Sequence, residues 1–273
     1  MQDYVGGIVI GIDPVILRLG PVSLRWYGLM IALGLTAGLY LALREARRKG
    51  LDEDVVYSGA LWSILGGIVG ARLFHVVDKL DFYLQNPYLL ISIGQGGLAI
   101  WGGILGGLLV ATVYARRRGL PALRLADVAT PGLLLGQMIG RVGCLINGDS
   151  WGAPTSLPWG IVYVHPDASL PAASQGIPTH PYPAYEILWD LLVFGLLWRL
   201  RGRLQVDGAL FAVYVLLYSA GRFALTFVRE EGAFLFGLQQ AQVVAAGAFL
   251  VALPFLVYLL TGRSAGAGAQ KTA

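Results

Sequence analysis

The sequence predicts an all-α, polytopic membrane protein with about seven transmembrane helices, the N-terminus outside and the C-terminus cytoplasmic. Three observations lead there. Of 273 residues, 56% are hydrophobic and only 13% charged, with a mean hydropathy of +0.65; a soluble domain carries about a quarter charged residues. Apolar stretches of roughly 20 residues, the length that crosses a bilayer as a helix, recur along the chain. Basic residues gather in alternate connections between those stretches.

Taken in order, residues 1–20 lack a basic leader and are broken by Asp13-Pro14, so they read neither as a signal peptide nor as a span. The candidate spans are 23–43, 55–77, 90–114, 122–146, 183–200, 207–228 and 238–261. The first is followed by Arg44, Arg47, Arg48 and Lys49, and the third by Arg116, Arg117 and Arg118, with Arg124 just beyond. Arg199, Arg201 and Arg203 follow the fifth, and Arg263 and Lys271 the seventh. With seven helices, these 13 of the 20 basic residues fall on one side, which the positive-inside rule makes cytoplasmic. The outside connections are then 78–89, the proline-rich 147–182 and 229–237. Long connections in a compact protein often carry function. Residues 1–262 read as a single transmembrane domain and 263–273 as a disordered cytoplasmic tail. Glycines four apart in GGIVG (66–70) and WGGILGG (101–107) suit close helix crossings.

Four arginines do not fit a purely apolar scaffold. Arg72, Arg141, Arg222 and Arg229 lie within or at the ends of candidate helices, all in the outer half by this topology. A charge at the bilayer centre costs about 3 kcal/mol or more, so it faces a protein interior or a wet cavity. The planar guanidinium fork suits phosphate, and a phospholipid headgroup is the anion available at that depth. Arg222 and Arg229, seven apart, would share one helix face. The competing reading pairs the arginines with Glu186, Asp190 or Glu230. Tyr27, Gly28, Asn147, Asp149, His180, Tyr185, Glu186 and Gln242 cluster near the same level. The single cysteine, Cys144, forms no internal disulfide and reads as a small buried side chain. These residues alone leave a transferase, a non-catalytic phospholipid binder and an anion transporter open. The missing inverted repeat counts against the transporter.

The motifs LGPVSLRWYGLMIALG (19–34), GARLFHVV (70–77), GGLAIWGGILGG (96–107), GRVGCLINGDSWGAPTSLPWG (140–160), THPYPAYE (179–186), YSAGRFALTFVRE (218–230) and GLQQAQ (237–242) go further. In order, spacing and topology the chain resembles the bacterial phosphatidylglycerol–prolipoprotein diacylglyceryl transferases. The resemblance implies transfer of a diacylglyceryl group from phosphatidylglycerol to the lipobox cysteine of prolipoproteins, in the bacterial plasma membrane, with no metal, cofactor or nucleic acid. It implies that Arg141 and Arg222 bind the phosphate and stabilise the leaving group by preorganised charge. It places Tyr27 with them in catalysis and Asn147, Gly152 and Arg229 at further pocket positions, with Asp149 where glutamate is usual. Arg72, His180, Glu186 and Gln242 complete the expected substrate-binding set. Three residues depart from the family pattern: Trp101 replaces a histidine that is a proposed base, Cys144 replaces an asparagine, and Thr226 replaces a glutamate four residues after Arg222. His75 and His180 are the histidines considered as substitutes for the base, and neither is assigned that role.

Overall fold

A computed structural model describes residues 7–20, 22–91, 97 and 99–269. It is mostly helical: α1 (Trp26–Arg48), α2 (Glu53–Asp78), the short α3 (Leu80–Gln85), α4 (Ile100–Arg117), α5 (Ala122–Asn147), α6 (Tyr182–Leu200), α7 (Ala209–Leu225) and α8 (Gln240–Ala269). Five of these are long and apolar enough to cross a membrane: Trp26–Arg48, Glu53–Asp78, Ala122–Asn147, Ala209–Val228 and Gln240–Thr261. The other two long helices fall short for visible reasons. Within α4, 18 residues end in Arg116-Arg117, and α6 carries Glu186, Asp190 and Arg199 within 19 residues. The third expected stretch is also corrected at its start. A 3-10 turn occupies Pro87–Ile91, and α4 begins at Ile100. At the other end, the tail expected to be disordered from 263 continues α8 as helix to Ala269, and residues 270–273 lie outside the described residues.

Short strands, absent from the expectation, precede and punctuate the helices. β1 (Ile8–Ile10) pairs in parallel with β4 (Ile161–Tyr163), with Ile8 opposite Ile161 and Ile10 opposite Tyr163. β2 (Val15–Leu19) and β3 (Val22–Arg25) form an antiparallel pair that runs straight into α1.

The chain divides into two compact units, 1–40 with 129–273 and 41–128. In the first, α5, α6 and α7 enclose a core of Leu134, Val193, Leu197, Leu210 and Tyr214. The Tyr214 hydroxyl donates to Gln137 Oε1 at 3.0 Å, so its polar end does not break that core. The α1 and α5 backbones meet at glycines: a Cβ on Gly34 would lie 2.8 Å from the Gly136 carbonyl oxygen, and one on Gly132 2.2 Å from that of Gly38. In the second unit, α2 and α4 cross in the same manner. A Cβ on Gly102 would lie 2.2 Å from the Gly70 oxygen, and one on Gly106 2.4 Å from that of Gly66. The four-residue glycine spacing therefore does what the sequence suggests. In the same unit Lys49 Nζ meets the buried Asp127 Oδ2 at 3.0 Å. Large apolar side chains such as Leu105, Leu192 and Leu250 point outward from the helices, the surface a lipid-facing helix presents.

Candidate active site

The first unit brings two of the four arginines together on one acid. Arg141 lies near the C-terminal end of α5, Glu186 in the first turns of α6, and Arg222 in the last turn of α7. Glu186 Oε1 accepts from Arg141 Nη2 at 3.1 Å and also from Arg222 Nη1. Its Oε2 lies 2.7 Å from Arg141 Nε, an ion contact off the N–H axis. Tyr182, one turn before Glu186, donates its hydroxyl to Oε1 at 3.1 Å and accepts from Arg222 Nη1 at 2.8 Å. Tyr182 and Glu186 share a helix face because they are four residues apart. Glu186 is 5% exposed, whereas the two arginine side chains keep 19% and 16%. The carboxylate is thus more deeply buried than the two arginine side chains, each of which keeps a minor part of its surface accessible.

The backbone explains why these helices approach so closely. Gly221, just before Arg222, has no room for a side chain: a Cβ there would lie 2.0 Å from Trp189 Nε1. Trp189 in turn donates to the Leu217 carbonyl at 3.0 Å. Gly143 performs the same service for α5, since a Cβ would lie 2.9 Å from Met30 Cβ and 3.2 Å from Tyr27 Cα. α5 ends at Asn147, and Gly148 then adopts φ +79°, a left-handed value that glycine takes without strain.

Beyond α7 the chain turns once through Thr226–Val228 and becomes extended at Arg229. Arg222 and Arg229 therefore do not share a face of one helix, as their spacing suggested. They flank the Tyr182 ring instead, each guanidinium carbon 5.7 Å from its centroid. Arg229 Nη1 also meets Glu231 Oε2 at 3.0 Å. Residues 151–153 are clamped from two sides. Gly152 N–H donates to the His180 carbonyl at 3.1 Å and Ala153 N–H to the Val228 carbonyl at 2.9 Å. Gly152 faces Arg229 across an isolated antiparallel bridge.

Comparison with known proteins now bears on this arrangement. The family model described as prolipoprotein diacylglyceryl transferase matches residues 14–258. The chain belongs to the prolipoprotein diacylglyceryl transferase family. Among its relatives, the phosphatidylglycerol–prolipoprotein diacylglyceryl transferase of Trichormus variabilis is 38% identical over 253 residues, covering 90% of this chain and 89% of the relative. That of Dehalococcoides mccartyi is 38% identical over 250 residues, covering 91% and 94%, and that of Clostridioides difficile 35% over 233 residues, covering 85% and 90%.

In this family member the remaining expected residues divide by what they touch. Asn147 is 5% exposed. Its Nδ2 donates to Asp149 Oδ2 and to Ser169 Oγ, at 2.5 and 2.8 Å, and its Oδ1 accepts from Arg25 Nη1 at 3.4 Å. Asn147 and Asp149 thus tie the end of α5 to the loop and to β3. Tyr163 supports that junction by donating to the Leu145 carbonyl at 2.8 Å. Burial, with Asp149 adding to it, pushes the Tyr163 phenol above its ordinary pKa, so the group stays a donor. His180 Nδ1 lies 3.2 Å from the Tyr185 hydroxyl, which also accepts from Trp159 Nε1 at 2.9 Å. Gln242 accepts from the Gln239 N–H at 2.9 Å and reaches the Phe223 carbonyl at 3.5 Å, fastening the start of α8 to α7. Tyr27 is 41% exposed at the start of α1. Arg141 Nη1 lies 3.9 Å from the buried Cys144 sulfur.

Arg72 belongs to the second unit, and its guanidinium is spent on backbone. It donates to the Leu90 carbonyl at 2.9 Å, to Gly97 at 2.9 Å and to Leu89, and lies 5.2 Å from the Tyr83 ring centroid. That set of partners fits a clamp on the connection after α2 better than a headgroup ligand. Sequence reasoning missed Tyr182, although its four-residue offset from Glu186 was a readable signal. It also missed His165. Asp13, His165 and Asp167 place ligand atoms within 4.8 Å of one another, but Arg18 is hydrogen-bonded to Asp167 and supplies the cation there.

Gly152 offers a direct test of the clamp. A Cβ would lie 2.5 Å from His180 Cβ and 2.7 Å from its carbonyl oxygen. Gly152→Ala is expected to lower stability by about 1–3 kcal/mol and to displace both flanking segments. Thermal unfolding in detergent would register the loss, and an unchanged midpoint would show that the loop yields.

Proposed function

We propose that this chain transfers the diacylglyceryl group of phosphatidylglycerol to the lipobox cysteine thiol of prolipoproteins, at the outer face of the bacterial plasma membrane. The observation that carries the reading is the pair Arg141 and Arg222, drawn from separate helices onto one buried carboxylate while each side chain keeps part of its surface accessible. Two guanidiniums fixed in this way are suited to a phosphodiester and to the charge that grows on its leaving oxygen. The cysteine thiolate of the second substrate attacks the glyceryl carbon. A C–S bond forms as the C–O bond to phosphate breaks, and the electron pair leaves on glycerol phosphate. Arg229 and Tyr27 line the approach, Asn147, Asp149 and Gly152 hold its wall, and His180, Glu186 and Gln242 brace the helix entries. A nearby cationic pair favours thiolate over thiol, which suits a chain that has Trp101 where the resembled pattern has histidine.

Parity supports seven crossings with the site facing outward. β1 and β4 pair directly, so the segments before α1 and after α5 share a side, which requires an even number of crossings between them. Counting α4 with α1, α2 and α5 gives that even number. The Arg141–Glu186–Arg222 contacts are in keeping with α6 and α7 running out and back to the same end. The basic clusters then all face the cytoplasm. A non-catalytic phospholipid binder is not favoured, because relatives matching nine-tenths of the chain are named as transferases.

The test is direct. The purified protein is mixed with phosphatidylglycerol liposomes and a lipobox-cysteine peptide, and the peptide's mass is measured. A diacylglyceryl-sized gain on the thiol is expected. No gain from folded, lipid-bound protein returns the chain to the binding role.

A further inference from the structure

Glu186 is placed to set the charge of the site as well as its shape. Its Oε1 receives Arg141, Arg222 and the Tyr182 hydroxyl together, and its Oε2 faces Arg141 Nε. The groups in direct contact thus comprise two cations and one anion, a net charge of +1; Asp190, buried one turn further along α6, makes none of these contacts. Arg229, the next cation, is matched by Glu231. Thr226, at the place where the resembled pattern has a glutamate, turns its hydroxyl back to the Arg222 carbonyl and adds no charge. Resting on the function proposed above, the two ends of the reaction differ in charge. The phosphodiester enters as a monoanion. After the thiol has lost its proton to water, thiolate attack yields a neutral thioether and a glycerol phosphate that carries two negative charges near neutral pH.

We propose that Glu186 is a positioning residue that lowers the net charge of the Arg141–Arg222 pair from +2 to +1 and so limits how strongly the site favours the dianionic product over the monoanionic lipid phosphate, letting the product leave. The site holds the charge it must attack and over-binds the charge it makes less than two bare arginines would, since each added cation favours the dianion more than the monoanion.

The experiment uses the full chain in phosphatidylglycerol nanodiscs, with peptide mass as the rate readout and added glycerol phosphate as inhibitor. Transfer by the wild-type protein is established first, so that a failure of the proposed function is seen before the variants are compared. Glu186→Gln keeps an accepting oxygen and removes the charge. Its inhibition by glycerol phosphate is expected to tighten on the order of tenfold, with kcat lowered and KM for the lipid unchanged or smaller. Glu186→Asp keeps the charge and is expected to show wild-type product inhibition. Unchanged inhibition in the glutamine variant, or the same change in both variants, overturns the proposal. Should the glutamine variant not fold, the wild-type protein still decides. Glycerol phosphate is expected to inhibit less than tenfold more strongly than its monoanionic methyl diester, and a preference for the dianion of tenfold or more would refute the proposal.

Discussion

Replacing Arg141 with alanine is expected to lower diacylglyceryl transfer about 10³-fold, the scale on which a preorganised donor to a developing anion contributes. The protein should still insert and remain folded. Glu186 would keep Arg222 and Tyr182 as partners, so the lost ion contact should cost only about 1–3 kcal/mol of stability. Arg141→Lys separates geometry from charge. An ammonium restores the cation but cannot span both carboxylate oxygens as Nη2 and Nε do at 3.1 and 2.7 Å, so partial activity is expected. Peptide mass gain against time, on protein shown to be monodisperse in detergent, measures both variants. Full activity in the alanine variant would remove Arg141 from the mechanism.

The second large effect lies in the other unit, 41–128. Gly102→Val is expected to disrupt the α2–α4 crossing outright. The first carbon alone would lie 2.2 Å from the Gly70 oxygen and 2.4 Å from Phe74 Cβ. Backbone opposes backbone here, so no rotamer change relieves the clash. Overpacking costs typically about 1–3 kcal/mol where side chains can yield, and this site should exceed that range. Limited proteolysis in detergent should show new cleavage within residues 41–128, the unit those helices build. A variant as resistant as the wild type would show that the helices can slide apart at little cost.

The fold's outline was legible because membrane helices announce themselves by length and apolarity. Arg141 and Arg222 were legible because an arginine in such a helix needs a partner. The partner itself, Glu186, was visible as one of several acids, and only folding singled it out from Asp190 and Glu230. Tyr182 was hidden among 13 tyrosines, most of which read as interfacial residues. Arg72 looked like its fellows in sequence, yet it meets backbone carbonyls, which carry no side-chain signature. The strands were illegible for a different reason. Ile8–Ile10 and Ile161–Tyr163 span three residues each, too few for alternation to register, and their pairing bridges some 150 positions that no local pattern can encode.

That distant pairing has a consequence for biogenesis. Ile8–Ile10 leaves the ribosome well before its partner, which follows only after α1, α2, α4 and α5 have been synthesised. The closing of such a long loop is late and slow. With the topology proposed above, a nascent chain that skips one insertion strands the two segments in different compartments, where neither can complete a sheet. Both then remain as open edges with unsatisfied amides, available to the proteases that clear failed membrane proteins. Correct threading of four helices is thereby read out by six residues.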